Sequence, residues 1–265
     1  MGGPCQREVA VKCSVCIAAY DKPWHLDRVL ASIMGQDVPY EWELIVVDDG
    51  SPTDEVAEVC SHYGKVDYVR IDRVPGYRNP AVARNVAYRR ARGEVVIAQS
   101  DDVVHVAGDT IWRLVEELTP GTFVIATVTN VDRTGRPCCS ANGVGFGDRL
   151  TVYTSPQLRR PLFFLGSLYR RDLYAVGGND EEFTAPGRED VWFALCLVKG
   201  LGLRPTYSAV AGHHLQHQHT TSYASVAAGR QVFARKCRQA MATGVYQAAG
   251  GPWPLPAQPL APQAR

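Results

Sequence analysis

The chain has 265 residues, with 28 Lys and Arg against 27 Asp and Glu, so its formal net charge is only +1. This length suits one large domain or two small ones. A charge balance near zero argues against a nucleic-acid coat protein or a polybasic membrane binder, although it allows a local basic patch. With 46% apolar and 21% charged residues, the composition is typical of a globular fold and excludes a disordered chain.

The first ten residues and the cysteines give an expectation for the cellular location of the protein. No apolar run approaches the roughly 18 residues of a membrane span, and MGGPCQREVA matches neither a secretion signal nor a myristoylation site. Cys13 and Cys16 form a C-x-x-C, but residues three apart in a strand point to opposite faces. We therefore expect buried, reduced cysteines and a cytoplasmic protein, with peripheral attachment to a membrane surface left open.

The first hundred residues alternate between strand and helix patterns. The predicted strands are 11–18, 43–48, 66–71 and 95–98, and the predicted helices between them are 23–34, 54–63 and 81–92. Strands separated by helices of this length pair in parallel through right-handed crossovers. The sequence thus predicts an α/β fold with a Rossmann-like mixed, mainly parallel sheet and helices on both faces.

The rest of the chain reads as an extension of the same sheet. The predicted strands are 122–131, 161–169 and 203–210, and the predicted helices are 109–118, 189–199 and 222–242. We therefore predict a short N-terminal extension (1–10) and a single domain (11–245) with two halves, 11–105 and 106–245. A Pro-rich C-terminal tail (246–265) is expected to have no packing capacity of its own.

Acidic pairs and histidines lie at predicted element ends. Asp48-Asp49 and Asp101-Asp102 follow strands, Glu189-Asp190 opens a helix, and four of the seven histidines fall at 213, 214, 217 and 219. Turn formation, helix capping and the helix dipole explain each acidic pair separately. Together, carboxylates and imidazoles at the carboxyl edge of a sheet can hold a divalent cation. Since no Gly-rich phosphate loop is present, a diphosphate ligand would need Mn²⁺ or Mg²⁺ to neutralise it.

Several segments resemble family 2 inverting glycosyltransferases of the GT-A fold. In the family's order they are SVCIAAY, ELIVVDDGSPTDE, NPAVARNVAYRRARGEVVIAQSDD, GGNDEEFTAPGREDVWFALCLVKG and the later His segment. The resemblance implies metal-dependent transfer of a sugar from a nucleotide-diphosphate sugar, most readily a UDP-sugar, to an unidentified acceptor hydroxyl. Residues 11–105 would form the nucleotide-binding half, and 106–245 the acceptor and metal half.

The resemblance also assigns roles at the donor site. Ala18 and Tyr20 would line the base, Asp48 would accept a hydrogen bond from N3–H of a uracil, and Arg84 would face the base or phosphates. Gln99, Ser100 and Asp101 stand where the family carries its D-x-D element, with Asp101 reaching the metal. Because Gln99 replaces an acidic residue, it could bind a ribose hydroxyl but adds no charge for the cation.

The metal site should then depend more on histidine. Strand alternation predicts that His213, His217 and His219 share one face while His214 faces away. The H-x-x-H formed by His214 and His217 also resembles the family pattern, so that pairing stays open. We favour His217 as the metal ligand, with His219 next.

The resemblance makes Asp190 the catalytic base, which takes the proton of the acceptor hydroxyl in a single displacement. Glu189 would orient the helix start or an acceptor hydroxyl, and Gly178, after Gly177, would let the backbone approach the sugar.

Two other classes of protein remain as alternatives to a glycosyltransferase. A nucleotidyltransferase would need a Gly-rich phosphate loop that AAYDKPWHL lacks. A sugar-nucleotide-binding protein with a decayed site is supported only by Gln99.

Overall fold

A computed structural model of the chain describes residues 10–73, 79–139, 151–185, 187–217 and 223–256. Within these ranges nine strands form one sheet, with helices on both faces. In chain order the elements are β1 (Cys13–Ala19), α1 (Pro23–Met34), β2 (Trp42–Asp48), α2 (Glu55–Ser61), β3 (Val66–Arg70), α3 (Ala81–Arg90), β4 (Val95–Ser100), β5 (Val103–His105), α4 (Thr110–Glu116), β6 (Thr122–Val131), β7 (Val152–Thr154), β8 (Leu165–Tyr169), α5 (Arg170–Val176), α6 (Glu189–Leu195), a π-helical turn (Cys196–Gly200), β9 (Arg204–Leu215) and α7 (Tyr223–Thr243).

The strands follow the order β3-β2-β1-β4-β8-β6-β9-β5, with β7 paired to β6. The first four strands in this order are parallel. β8 runs antiparallel to both β4 and β6, whereas β9 is parallel to β6 and antiparallel to β5. The predicted mixed α/β sheet is confirmed, and its parallel pairing is concentrated in the first half of the chain.

Each face of the sheet buries its own apolar cluster. Helix α1 places Leu26, Val29, Leu30 and Ile33 at helical spacing against one face, while α3, α5, α6 and α7 cover the other. Cys13 belongs to the first cluster and Cys16 to the second, so the two thiols point to opposite faces as predicted. All cysteines in the described ranges are free.

Three short elements were missed by the periodicity of the sequence, namely β5, β7 and α5. Each has no more than seven residues, which is too short for a repeat of apolar positions to stand out. β9 also runs five residues beyond its predicted end, because β5 and β6 supply hydrogen-bond partners on both sides of it. Such partners depend on residues far apart in the chain.

The register of the parallel strands collects their carboxyl ends at one edge. Ala19 lies beside Asp48, and Ala18 lies beside Ser100. The loops that follow β1, β2 and β4 therefore emerge next to one another. This edge carries the acidic residues singled out in the sequence.

Residues up to Trp253 of the predicted tail contact the domain, so the expectation of a tail without packing is wrong for this part. Trp253 meets Tyr174 edge to face at 5.3 Å between ring centroids, and the Arg89 guanidinium lies 4.2 Å from the Trp253 ring centre. The Trp253 N–H also donates to the Tyr174 carbonyl oxygen at 2.9 Å. Residues 257–265 of the predicted tail, like 1–9 of the predicted extension, lie outside the described residues.

None of the helices in the described ranges combines the length and the hydropathy that crossing a bilayer requires.

Replacing Trp253 by alanine should lower the free energy of unfolding by about 2 kcal/mol, because a half-buried aromatic side chain and its two ring contacts are lost. Urea unfolding measures the change. Leu255→Ala is the matched control, since Leu255 is 56% exposed in the same segment and should be nearly neutral. Equal effects of the two substitutions would show that Trp253 does not anchor this segment.

Candidate active site

Asp48, at the end of β2, is fully buried and satisfied within the protein. Its Oδ1 accepts hydrogen bonds from the Ser51 backbone N–H at 2.8 Å and hydroxyl at 2.6 Å, and its Oδ2 accepts one from the Tyr68 hydroxyl at 2.9 Å. Gly50 completes this turn at φ +69°, a conformation that L side chains rarely adopt. The carboxylate predicted to accept from the base thus holds the turn after β2.

Asp49 lies next to a stacked cation and ring. Arg73 Nη1 is 3.5 Å from Asp49 Oδ2, and the same guanidinium lies 3.5 Å from the ring centre of Tyr20. Burial raises the pKa of Asp49, an effect that the charge of Arg73 partly offsets. Tyr20, predicted to line the base, is 36% exposed, and Ala18 is half-buried beside it at the end of β1.

Two buried carboxylates follow β4 and share one ammonium. Lys22 Nζ lies 2.5 Å from Asp101 Oδ1 and 2.5 Å from Asp102 Oδ2. Asp101 Oδ2 also accepts from the Tyr20 backbone N–H at 3.3 Å, which links this pair to the end of β1. Ser100, just before them, is half-buried, and its N–H is committed to the Phe164 carbonyl oxygen.

Two histidines converge on Asp102. His217 Nε2 lies 3.1 Å from Asp102 Oδ2, and His214 Nε2 lies 3.6 Å from Asp102 Oδ1. His214 Nδ1 is 2.8 Å from Asn130 Oδ1, an acceptor, so Nδ1 carries a proton, and Nε2 is the ring nitrogen that faces Asp102. One ligand atom from each of Asp102, His214 and His217 lies within 4.8 Å of the others.

The predicted alternation of the histidines is wrong at His214, which turns toward Asp102 together with His217 instead of facing away. Strand β9 ends at Leu215, whose N–H donates to the Asp102 carbonyl oxygen, so the period of two no longer applies beyond it. The alternative H-x-x-H pairing is therefore the one that the fold forms. His219 lies outside the described residues.

The residues around Asp102 fit a divalent cation. In the part of the chain that the structure describes, no hydrogen-bond donor reaches the buried Asp102 Oδ1. This oxygen faces an imidazole nitrogen that also offers a lone pair when neutral, and two lone pairs at 3.6 Å require a cation or a proton between them. Burial works against the charge of Asp102, but Lys22 and the two histidines outweigh it and hold its pKa well below its usual range.

Gln99 points away from this edge into the protein. Its amide Nε2–H donates to the Val103 carbonyl oxygen at 2.5 Å, its Oε1 lies 2.9 Å from His105 Nε2, and the side chain is buried. Burial lowers the pKa of His105 to about 3, so the ring is neutral and donates to the amide oxygen. The amide nitrogen and the amide oxygen of Gln99 therefore both have partners inside the protein.

A second acidic pair opens α6. Arg84 Nη1, from α3, donates to Asp190 Oδ1 at 3.2 Å, and both side chains are largely buried. Glu189 Oε2 accepts from the Gly187 backbone N–H at 2.5 Å. Burial and then the charge of Asp190 raise the pKa of Glu189 to about 7. Arg84 and Asp190, which were predicted to act on the donor and the acceptor, are thus brought into contact.

The loop before α6 is fixed from α3 and from α7. Asn85 Nδ2 donates to the Asn179 carbonyl oxygen, and the Asn179 N–H donates back to Asn85 Oδ1, both at 2.8 Å. Asp180 Oδ2 accepts from Trp192 Nε1 at 3.0 Å and pairs with Lys236 Nζ at 2.6 Å. These bonds tie the start of α6, and hence Asp190, to two other helices.

Gly178, predicted to approach a sugar, lies in this loop with φ +70°. A Cβ at this position would overlap the ring of Trp253 and lie 2.5 Å from Asn85 Oδ1. The absence of a side chain at residue 178 is therefore explained by packing against Trp253.

The sheet has a Rossmann-like parallel half continued by a mixed half, and this is the predicted GT-A fold. Residues 14–159, more than half of the chain, match the family model Glycosyl transferase family 2. The chain belongs to this family, as the sequence motifs predicted.

Curated relatives resemble part of the chain. It is 32% identical over 98 residues to the poly(ribitol-phosphate) beta-N-acetylglucosaminyltransferase TarS of Staphylococcus aureus, and 32% identical over 94 residues to the uncharacterized glycosyltransferase YfnE of Bacillus subtilis. Each match covers 36% of this chain. The matched stretches span only 17% of TarS and 24% of YfnE.

Solved structures resemble the fold more extensively. Staphylococcus aureus TarS in complex with UDP-GlcNAc superposes with a TM-score of 0.58 at 19% identity, over 79% of this chain and 60% of that chain. The mannosyltransferase PcManGT from Pyrobaculum calidifontis, in complex with GDP-Man and Mn²⁺, superposes with a TM-score of 0.57 at 20% identity, over 88% and 68%. At such identities the likeness supports the fold alone.

Sequence reasoning placed Asp49 at this edge without giving it a role, and it missed Lys22, Arg73 and Asn130. Lys22 and Arg73 lie within a few residues of predicted strand ends, so their positions were a usable signal. Asn130 lies inside a predicted strand and carried no such signal, because its contact with His214 depends on the register between strands that are distant in sequence.

The raised pKa of Glu189 predicts a pH-dependent stability. Between its ordinary value of 4.5 and about 7, the folded state holds a proton that the unfolded state has lost, so the contribution of Glu189 to stability falls as pH rises through this window. Glu189→Gln, neutral at every pH, should exceed wild type by on the order of 1–3 kcal/mol at pH 8 and by little at pH 4.5.

Urea unfolding at the two pH values measures this difference. Glu58→Gln, at an exposed position on α2, is the control and should change little between them. A gap between Glu189→Gln and wild type that did not depend on pH would contradict the assignment.

Proposed function

We propose that this chain is a metal-dependent, inverting glycosyltransferase that moves a sugar from a nucleotide-diphosphate sugar, most readily a UDP-sugar, to an acceptor hydroxyl. Membership in glycosyl transferase family 2 supports sugar transfer. Metal dependence is supported by one observation. The carboxylate of Asp102 is buried beside His214 and His217 at the carboxyl edge of the parallel strands, and its Oδ1 has no hydrogen-bond partner among the described residues.

The nucleotide would lie across the ends of β1, β2 and β4. We propose that Tyr20 and Ala18 contact the base, as the sequence predicts, and that Asp49 accepts its N3–H. Asp48 is fully buried and already accepts from Ser51 and Tyr68, whereas Asp49 is slightly exposed and, among the described residues, has a longer contact with Arg73. Gln99 and Ser100, predicted from the sequence to bind the donor, would act indirectly by fixing the loop that carries Asp101 and Asp102.

Asp102, His214 and His217 would hold the divalent cation, with Asp101 as a further carboxylate at the same edge. Two imidazoles suit Mn²⁺ better than Mg²⁺, because Mg²⁺ favours oxygen ligands. When bound, the cation would supply positive charge against the departing diphosphate. His219, the second choice from the sequence, stays a prediction.

Asp190 would take the acceptor proton. In a single displacement the acceptor oxygen forms its bond to the anomeric carbon as the bond from that carbon to the diphosphate oxygen breaks, and the hydroxyl proton passes to the Asp190 carboxylate. Arg84 holds this carboxylate in place, and Glu189 fixes the turn before it through Gly187. Gly178 would act indirectly, by allowing the packing that positions the start of α6.

Asp190→Asn should lower the rate at which the donor is cleaved about 10³-fold, because the substituted amide cannot accept the proton. UDP binding should stay within about threefold of wild type. The measurement is UDP release from a panel of UDP- and GDP-sugars with Mn²⁺, water serving as acceptor, together with calorimetric binding of UDP. Asp37→Asn, an exposed control, should behave as wild type.

If wild type bound UDP but released none from any donor, the chain would be a sugar-nucleotide-binding protein instead. Turnover by Asp190→Asn within threefold of wild type would remove Asp190 from the role of base.

His214→Ala and His217→Ala should each weaken Mn²⁺ binding by about 10- to 100-fold, since each removes a nitrogen ligand of the proposed cation. Calorimetric titration of Mn²⁺ in the presence of UDP measures the affinity. His213→Ala is the matched control, because the neighbouring imidazole on β9 is outside the cluster around Asp102. An affinity unchanged by both substitutions would rule out this ligand set.

A further inference from the structure

Lys22 occupies the position between the two carboxylates at the end of β4. Its ammonium lies 2.5 Å from an oxygen of each, and the side chains of Asp101 and Asp102 are only 9% and 6% exposed. Lys22 is the residue just before α1, and its carbonyl oxygen accepts the Leu26 N–H at 3.0 Å. The backbone of Lys22 is therefore fixed, while its long side chain, 25% exposed, has a route to solvent.

The oxygen that Lys22 contacts also belongs to the candidate cation site. Asp102 Oδ2 lies 2.5 Å from the ammonium and 3.1 Å from His217 Nε2. A divalent cation bound to this oxygen would therefore lie within a few ångströms of the ammonium. Two positive charges repel strongly at such distances in a poorly solvated site, so the divalent cation and the ammonium compete for the same oxygen.

We propose that Lys22 is a tethered competitor of the divalent cation, which must displace the ammonium from Asp101 and Asp102 in order to bind. This inference rests on the proposed function, since it concerns the cation of that same site. Displacement frees Asp101 Oδ1, so Asp101 can join Asp102 as a ligand only after Lys22 has moved. The released ammonium remains tethered at the edge where the diphosphate would bind.

The competition is between two permanent charges. Burial lowers the pKa of Lys22, but the charges of Asp101 and Asp102 outweigh burial and raise it, so the ammonium stays protonated at neutral pH. In the cation-free protein Lys22 also limits the cost of burying two carboxylates side by side. A resident ammonium thus stabilises the empty site and, by linkage, lowers the affinity for the cation that replaces it.

Lys22→Met should therefore tighten Mn²⁺ binding about tenfold, because methionine keeps the length of the side chain and has no charge. The probe is Mn²⁺ alone, with free Mn²⁺ counted by its electron paramagnetic resonance signal during titration of the full chain. Lys12→Met is the matched control, since Lys12 forms an exposed pair with Glu94 at 2.8 Å and should leave the affinity unchanged. Equal or weaker binding by Lys22→Met would overturn the proposal.

Wild type provides a second measurement that needs no variant. Acetylation of lysines, quantified by mass spectrometry, should modify Lys22 slowly without metal and several-fold faster with saturating Mn²⁺, while Lys12 reacts at the same rate in both. An unchanged Lys22 rate with Mn²⁺ bound overturns the proposal even if Lys22→Met does not fold.

The two proposals fail separately. If the protein transfers sugar but Lys22→Met does not tighten Mn²⁺ binding, the proposed function stands and the competition by Lys22 is wrong. If Lys22→Met tightens Mn²⁺ binding but no donor releases UDP, Lys22 competes with the cation in a protein that binds cations without transferring sugar. Absence of Mn²⁺ binding in wild type and Lys22→Met alike would overturn the competitor together with the metal site.

Discussion

The burial of two adjacent carboxylates at the end of β4 is the constraint on which the site depends. Removing a carboxylate from water costs several kcal/mol unless charges and hydrogen bonds replace the solvent. Asp101 and Asp102 receive the Lys22 ammonium, and Asp102 also faces two imidazoles. The loop after β1, the loop after β4 and the end of β9 are therefore joined at one point, where a divalent cation could replace the resident positive charge.

The sheet register makes this meeting of loops unavoidable. Parallel pairing aligns the ends of β1, β2 and β4, so the residues that follow them share one edge. β9 reaches the same edge from the other half of the chain, between β6 and β5, and brings His214 beside Asn130 and Asp102. The base candidate Asp190 is supported differently, by Arg84 from α3 and by a loop that Asn85 and Lys236 fix in place.

Prediction from the sequence succeeded where the signal was local. The helix 23–34, the strand 122–131 and the opposite orientations of Cys13 and Cys16 follow from periodicity, and the structure has them at those positions. The residue types of the site were also visible. The sequence could not show that the side chains of Asp48 and Gln99 form hydrogen bonds inside the protein, because their partners Tyr68 and His105 come close only in the fold.

The alternation of strand and helix patterns determined the class of fold, and the order of motifs determined the family and the edge at which acidic residues and histidines gather. Periodicity and strand-end position are properties of neighbouring residues, so sequence carries them directly. Only the tertiary structure decided that Asp102 meets His214 and His217, that Lys22 lies between two carboxylates, and that Trp253 packs over Gly178. These contacts join residues from distant parts of the chain, and register and packing, not local pattern, determine them.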